Sequence, residues 1–332
     1  MSETLGMVQP SGRHGSWRSR ALFLAKLIIA AGFLTWLFAS GKLDLSPLGD
    51  IRHWGFLLAA AASLGLSMIL PIWRWLALLK VQELDLAWPK ALGMTWLGYF
   101  ASLFLPGATG GDLAKAYLAC RNKPIAKTAA VSTVLMDRVV GLQSLLLIAS
   151  VAGILLLTTG CSARLAAVSW SALLLFGASV LALFFVLWSP TSGVALKLLP
   201  RRFRKAMTES LALYRVAWGK LPCVILYSCF CNALGITSYV LVALALGERF
   251  SYGHVLAVPL VAVANSLPIS PGGLGVGEAV GAQLFAEFGS ANGALIILIV
   301  RLGVITFSLP GSLALFGTYR YQGAPQASLS EE

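Results

Sequence analysis

The stretches L-P-G-A-T-G-G at residues 105–111 and L-P-I-S-P-G-G at residues 267–273 repeat one pattern, L-P-x-x-x-G-G, in an otherwise apolar chain. Each copy precedes a lone arginine in an apolar stretch: Arg138 lies 32 residues after Pro106, and Arg301 lies 33 residues after Pro268. Helix-breaking residues at membrane depth are tolerated only where the broken backbone is buried in protein or lines a wet cavity. Paired breaks in corresponding halves of a chain therefore indicate a central binding site.

The composition is that of an integral membrane protein. Of the 332 residues, 58% are hydrophobic and only 11% are charged, whereas a soluble domain has about 25% charged residues. The long apolar segments predict an all-α fold with a single membrane domain at 21–318, between a basic cytoplasmic tail at 1–20 and a second cytoplasmic tail at 319–332. The net charge of +12 falls in short loops, which argues against a nucleic-acid partner.

Six segments are long enough to cross a bilayer, which needs roughly 20 apolar residues in a helix. They lie at about 21–40, 54–73, 128–157, 165–188, 222–246 and 293–316. Two shorter apolar segments lead directly into the repeated pattern and belong to predicted helical hairpins at about 91–122 and 255–288. The topology depends on whether these hairpins cross the membrane.

The distribution of Lys and Arg favours hairpins that return to the side from which they came, because short cytoplasmic loops are enriched in these residues. With re-entrant hairpins, 19 Lys and Arg residues lie in cytoplasmic segments and four lie outside. With hairpins that cross fully, the count becomes 10 inside and 13 outside. The sequence therefore predicts about six full spans, both termini in the cytoplasm, and two opposed re-entrant helical hairpins in an inverted-repeat architecture.

The residues around the two copies predict a binding site for an anion. Glycine pairs remove side chains, so backbone N–H groups and the positive ends of the following helices can approach a ligand. Ionisable groups inside spans usually face the bundle interior or an aqueous path. The candidate substrate-binding residues are Pro106, Gly110, Gly111, Asp112, Lys115, Asp137, Arg138, Asn265, Pro268, Pro271, Gly272, Gly273, Glu278 and Arg301.

These residues also have a structural interpretation. Asp137 and Arg138 would form an interfacial ion pair, and Arg301 would pair with Glu278 or another acid. Asp112 would cap the helix that restarts after the first glycine pair. The glycines would serve close helix packing. Their joint occurrence in both repeats favours the functional interpretation.

A membrane-embedded lipid transferase is the enzyme that such a chain suggests. None of the three histidines falls in the predicted central region, although His254 lies near the second hairpin. No two carboxylates have metal-binding spacing in one helix, so a Mg²⁺ site would have to combine Asp112, Asp137 and Glu278. We therefore expect no enzyme activity, no catalytic residue, no metal and no cofactor.

Three motifs carry a resemblance that covers nearly the whole chain, from the first span to the last. They are P-G-A-T-G-G-D-L-A-K-A-Y at 106–117, V-L-M-D-R-V-V-G-L at 134–142 and N-S-L-P-I-S-P-G-G-L-G-V-G-E at 265–278. Together they resemble the flippase-like family of lysylphosphatidylglycerol synthase transmembrane domains, an uncharacterised family that includes hopanoid-associated membrane proteins. That family usually has Glu where Asp137 stands. It often has Arg at the position of Lys115 and a basic or polar residue at that of Gly277.

The resemblance implies the translocating membrane portion of such proteins, without the soluble aminoacyl-transferring domain of the best-known members. It implies a lipid flippase or transporter that moves an anionic or polyprenyl-type lipid between the leaflets of the cytoplasmic membrane. The chain has no ATP-binding P-loop, so we expect movement to be downhill or coupled to an ion or to the membrane potential. The expected partners are membrane lipids with an anionic headgroup and enzymes of lipid or envelope biosynthesis. The alternative is an accessory protein of such a pathway that binds lipid without transporting it.

Overall fold

The chain is helical and contains no strand in the part that the computed structural model describes, which is residue 35 and residues 53–103, 110–121, 127–188, 201–249, 251–266, 275–290 and 292–312. The predicted all-α fold is therefore confirmed. The helices are α1 (Trp54–Ile69), α2 (Pro71–Val81), α3 (Trp88–Ser102), α4 (Gly110–Arg121), α5 (Lys127–Thr158), α6 (Ala163–Trp188), α7 (Arg201–Val216), α8 (Leu221–Ala245), α9 (Tyr252–Ser266), α10 (Val276–Glu287) and α11 (Gly293–Ser308).

Within the described residues, four helical segments are long and apolar enough to cross a membrane. They are Trp54–Val81, Ala129–Thr158, Ala163–Leu187 and Trp218–Ala245, and they match four of the six predicted spans. The predicted span at 21–40 lies outside the described residues except for Thr35, which is helical. The predicted span at 293–316 contains α11, a shorter apolar helix. The protein is a multi-pass membrane protein.

The first of these four segments consists of two consecutive helices that meet at Pro71. Proline suits the first turn of a helix but not its interior, because it lacks an N–H donor. Accordingly α1 ends before Pro71 and α2 begins there, continuing to Val81. Arg74 was predicted to lie in a cytoplasmic loop, and this prediction is wrong: Arg74 lies in α2 and is 8% exposed. The reason is that Pro71 starts a new helix instead of ending the span.

The α1–α2 segment packs antiparallel to α8. The Ser63 hydroxyl donates to the carbonyl of Leu234 at 2.8 Å, and the Tyr227 hydroxyl donates to the carbonyl of Leu70 at 2.9 Å. A short loop at 82–87 leads from α2 into α3, and described loop residues 246–249 follow α8 on the way to α9. Because α2 and α8 end at opposite ends of this antiparallel pair, α3 and α9 also begin at opposite ends of the bundle.

The two predicted hairpins are present and are opposed. Helices α3 and α4 pack closely at Gly98 and Gly111, and α9 packs on α10 at Asn265 and Gly277. The second helix of each hairpin has 12 residues, or about 18 Å at 1.5 Å per residue, which is less than the roughly 30 Å of a bilayer core. The described second helix of each hairpin is therefore too short to cross a bilayer, in agreement with a hairpin that returns to the end of the bundle at which it begins.

Apolar side chains from α1, α8, α9, α10 and α11 form the largest described core around the second hairpin. Its buried members include Leu64, Ile236, Val261, Phe285 and Ile297. Helix α6 lies at the periphery instead, with large exposed apolar side chains at Trp170, Leu174, Leu181, Phe184 and Phe185. Because a bilayer is the solvent for such a surface, we interpret this face of α6 as lipid-facing. The second hairpin thus packs against α1, α8 and α11.

Candidate functional site

The first hairpin carries an ion pair directly after its tip sequence. Asp112 is the third residue of α4, and its carboxylate accepts from Nε of Arg138 in α5, the next helix of the chain. The Arg138 side chain is 47% exposed and that of Asp112 is 19% exposed. This pair is therefore accessible from outside the protein.

The second hairpin carries a matching pair. Glu278 is the third residue of α10, and its Oε1 lies 2.5 Å from Nε of Arg301 in α11. Its Oε2 accepts the N–H of Gly275 at 2.8 Å, and Nη2 of Arg301 donates to Oδ1 of Asn265 at 3.2 Å. Here the side-chain exposures are only 12% for the arginine and 0% for the glutamate. The structure thus brings together the predicted residues Asn265, Glu278 and Arg301.

The two pairs occupy equivalent positions in the two halves of the chain. In each half an acid stands in the first turn of the helix that follows the tip, where the helix dipole favours a negative charge. In each half it pairs with an arginine of the next helix. The prediction that Asp112 caps its helix is wrong, because α4 begins at Gly110 and Asp112 lies inside its first turn. The prediction that Arg301 pairs with Glu278 is confirmed.

The first half has a further buried ion cluster. Asp137 accepts from Nε of Arg74 at 2.7 Å and lies 3.8 Å from Nζ of Lys115. The Arg74 guanidinium also donates through Nη1 to the hydroxyl of Ser228 in α8. Lys115 packs its Nζ 3.8 Å from the ring centroid of Trp75. Asp137 does not pair with Arg138 as predicted. Asp137 contacts Arg74 and Lys115, and Arg138 contacts Asp112.

Arg74 is a site residue that sequence reasoning missed, and Lys115 was assigned to the site but also counted as a loop charge. Both are buried, at 8% and 7% exposure. Removing the two from the 19 predicted cytoplasmic charges leaves 17 against four, so the direction of the charge bias is unchanged. The signal for Arg74 was a lone arginine between two tryptophans, Trp73 and Trp75, three residues after a proline. Its partner Asp137 is 63 residues away, so the pairing could not be read from spacing.

Glycines let the helices of the first hairpin touch through their backbones. A Cβ atom on Gly111 would overlap the carbonyl oxygen of Gly98. In the second hairpin a Cβ on Gly277 would overlap the side chain of Asn265, which holds Arg301. Close packing and ion-pair geometry therefore depend on the same glycines.

Five predicted site residues lie outside the described residues. They are Pro106, Pro268, Pro271, Gly272 and Gly273. Gly110, by contrast, is described as the first residue of α4. The structure consequently describes the helices on both sides of each tip, with the charged residues that they carry.

A second polar cluster lies at the base of the second hairpin, where the α8–α9 and α10–α11 loops meet. His254 Nε2 lies 3.3 Å from a Glu248 oxygen, and the other Glu248 oxygen accepts from the Ser290 hydroxyl at 2.7 Å and from the N–H of Asn292 at 3.3 Å. Burial acts to raise the pKa of Glu248, but the hydrogen bonds and the charge of His254 outweigh it and hold this pKa below its ordinary value. Sequence reasoning noted His254 and missed this cluster.

No three His, Cys, Asp or Glu side chains come together as a metal site in the described part of the chain. Asp112, Asp137 and Glu278, which would have had to combine for Mg²⁺, are each paired with a cation instead. The charged residues at the hairpins thus form arginine–carboxylate pairs, which can exchange one anionic partner for another.

Comparisons with known proteins agree with the membrane fold. The family model described as the lysylphosphatidylglycerol synthase TM region matches residues 23–313. The chain is also 25% identical over 304 residues to the UPF0104 membrane protein PH1989 of Pyrococcus horikoshii, covering 83% of this chain and 89% of that protein. No solved structure matches. The matched region contains both hairpins and both arginine–carboxylate pairs.

Proposed function

Because this chain belongs to the lysylphosphatidylglycerol synthase transmembrane family, we propose that it binds the anionic headgroup of a membrane lipid at its hairpins and moves that lipid between the leaflets of the cell membrane. The observation that carries the proposal is the matched pair of arginine–carboxylate contacts, Arg138 with Asp112 and Arg301 with Glu278. They stand after the tips of two hairpins that begin at opposite ends of the bundle.

The chemistry of the pairs supports an anionic ligand. An unpaired charge in a low-dielectric site is costly, whereas exchanging one anionic partner for another keeps the arginine compensated. A phosphate oxygen pair matches the planar guanidinium fork as well as a carboxylate does. A lipid phosphate can therefore take the place of Asp112 beside Arg138 and keep the arginine paired.

The placement of the pairs supports movement rather than binding alone. A ligand that is to cross a bilayer needs polar contacts at more than one depth, and the opposed hairpins provide one arginine each. The pair at Arg138 is exposed and the pair at Arg301 is buried. This difference in exposure is expected of a site that is open toward one end of the bundle. The apolar surface of α6 keeps the rest of the molecule in contact with acyl chains.

The test is a leaflet-resolved assay on the purified protein in vesicles that contain a fluorescent phosphatidylglycerol. We expect the wild-type protein to accelerate exchange of the lipid between leaflets, and Arg138→Gln to abolish the acceleration. Arg164→Gln is the matched control, because Arg164 is 82% exposed in a pair with Glu287 and lies away from the tips. If neither phosphatidylglycerol nor a polyprenyl phosphate moves faster with wild-type protein, while binding persists, the protein is a non-transporting lipid-binding partner of a biosynthetic enzyme.

A further inference from the structure

The two halves of the site match in their arginine–carboxylate pairs but differ in charge. Counting three residues on from each acid, Lys115 in the first half corresponds to Gly281 in the second. The residue before each arginine is Asp137 in the first half and Val300 in the second. The halves are therefore not equivalent as binding sites.

The ion cluster of the first half, which consists of Arg74, Asp112, Lys115, Asp137 and Arg138, carries one net positive charge. The charges of Arg138 and Asp112 cancel, and so do those of Arg74 and Asp137, which are joined by a 2.7 Å contact. The positive charge of Lys115 is the one that these two pairs do not cancel. The tip sequence at 104–109 contains no ionisable residue that could balance it.

Lys115 has the weakest compensation of the three cations. Its Nζ is 3.8 Å from Asp137 Oδ2, a longer contact than that of Arg74 with the same carboxylate. The face of Trp75 attracts a cation, but it supplies no negative charge. The Lys115 side chain is nevertheless only 8% exposed. A buried cation whose nearest carboxylate is already held by Arg74 favours an additional anion nearby.

The second half has no such surplus. The pair of Glu278 with Arg301 is neutral, and the tip sequence at 267–274 is uncharged. The position equivalent to Lys115 is closed, because a Cβ on Gly281 would overlap the side chain of Ile297. Val300, in place of an acid, is 3% exposed. A second anion bound there would have no surplus cation to neutralise.

We propose that selection among headgroups takes place in the first half and that Lys115 is the specificity-determining residue, which selects lipids whose headgroup carries a single net negative charge. This inference rests on the proposed lipid-binding function of the same site. A monoanionic headgroup brings the first half to neutrality. A zwitterionic headgroup leaves the surplus charge in place, and a dianionic one reverses its sign.

The test is an equilibrium binding measurement on the full-length protein in phosphatidylcholine nanodiscs. The probes are fluorescent phosphatidylglycerol, phosphatidylethanolamine and cardiolipin. We expect wild-type protein to prefer phosphatidylglycerol to phosphatidylethanolamine by about tenfold, the equivalent of about 1.4 kcal/mol. Lys115→Gln should reduce this ratio to near one, Lys115→Arg should keep it, and Lys80→Gln, at an exposed lysine in the same bundle, should leave it unchanged. A ratio that is the same in wild-type and Lys115→Gln proteins would overturn the inference.

A double variant separates net charge from folding effects. Lys115→Gln combined with Asp137→Asn again leaves the first half with one net positive charge, so the preference for phosphatidylglycerol should return. If the double variant has wild-type thermal stability but still lacks the preference for phosphatidylglycerol, net charge does not select the lipid. Excess inorganic phosphate should fail to displace the lipid, and full displacement would mean that the site takes free phosphate rather than a headgroup.

The outcome is distinguishable from failure of the proposed function. Charge-selective binding without exchange between leaflets would remove the transport proposal and leave the role of Lys115 intact. Exchange between leaflets that is equally fast for phosphatidylglycerol and phosphatidylethanolamine would support transport and remove the role of Lys115 in selecting the lipid.

Discussion

Arg74 illustrates how one residue can connect separate parts of the molecule. It follows the helix break at Pro71, pairs with Asp137 in α5 and donates to Ser228 in α8. Its guanidinium also lies against Gly141, where a Cβ would come within 3.4 Å of Nη1. The first hairpin contacts this network through Lys115 and Asp137, so Arg74 positions the charges of the site without standing at the tip.

Glu278 should be the residue whose loss most clearly destabilises the second hairpin. Glu278→Gln keeps an acceptor for the Gly275 N–H but removes the charge that faces Arg301. Breaking one partner of a buried ion pair costs about 3 to 5 kcal/mol. We expect a marked drop in the thermal unfolding temperature in detergent.

The control for this substitution is Glu287→Gln, whose partner Arg164 is largely exposed. An exposed pair contributes at most about 1 kcal/mol, so stability should hardly change. Replacing both Glu278 and Arg301 by glutamine should recover much of the loss, since no bare charge remains. Equal unfolding temperatures for Glu278→Gln and Glu287→Gln would contradict the burial of the pair.

Glu248 should make the stability of the protein depend on acid pH. The pKa of the Glu248 carboxyl is lower in the folded protein than in the unfolded chain. The charged form therefore stabilises the fold at a pH above the ordinary pKa of about 4.3. This stabilisation is lost as the pH falls through the lower pKa of the folded protein. Unfolding temperatures measured from neutral to acid pH should therefore fall more steeply for wild-type protein than for Glu248→Gln. Asp85→Asn, at an exposed loop position, serves as the control, and parallel curves for wild-type and Glu248→Gln would refute the prediction.

At the residue scale, sequence reasoning found the ionisable residues more readily than their partners. Arg301 was expected to pair with Glu278 or another acid because it lies well inside an apolar helix, and it does pair with Glu278. Arg138 was grouped with its chain neighbour Asp137, whereas the fold gives it Asp112, 26 residues earlier. Neighbours on a helix point in different directions, so adjacency in sequence is a poor guide to pairing between helices.

At the scale of helices, the α3–α4 contact depends on one glycine. Gly111→Ala would place a methyl group against the carbonyl oxygen of Gly98 and push the two helices apart, displacing the neighbouring Asp112 from Arg138. Overpacking of this kind costs about 1 to 3 kcal/mol. We expect lower thermal stability and, in the vesicle assay, slower lipid exchange.

Gly93→Ala is the matched control in α3, because a Cβ there meets nothing within 4 Å. Alanine is favoured over glycine in a helix by about 1 kcal/mol, so this variant should be at least as stable as wild type. If Gly111→Ala also left stability and exchange unchanged, the helices would not be in backbone contact.

The hairpins were predictable because their signal is local. Pro and Gly mark a helix break wherever they occur, and the shortness of the flanking apolar segments is visible in the sequence. The extension of α2 beyond the predicted end of its span was not predictable in the same way. Pro71 can start a helix as well as end one, and the burial of Arg74 by α5 and α8, which places α2 inside the bundle, exists only after the helices have packed.

At the scale of the whole molecule, the opposed hairpins make the orientation testable. The loop residues 82–87 and 246–249 lie at opposite ends of the bundle, and the charge bias predicts that the former face the cytoplasm. Asp85→Cys and Arg249→Cys, each in a background without native cysteines, place thiols at exposed positions in these two loops. A membrane-impermeant maleimide added to intact cells should label the position at 249 only, and the position at 85 only after permeabilisation.

Labelling of both positions from the same side would contradict the antiparallel arrangement of α2 and α8. Labelling of position 85 alone from outside would keep the fold and reverse the predicted orientation. The predicted orientation depends on a charge bias that is summed over many loops. The misplacement of Arg74 and Lys115 therefore did not change it.

The order of the ion pairs along the chain has a consequence for biosynthesis. In both halves the acid is made first and its arginine later, after 26 residues for Asp112 and after 23 for Glu278. A short hairpin that bears an uncompensated carboxylate is a poor substrate for insertion into lipid. We expect each hairpin to settle into the membrane only once the following helix has delivered its arginine, so that insertion of this protein does not simply follow the order of synthesis.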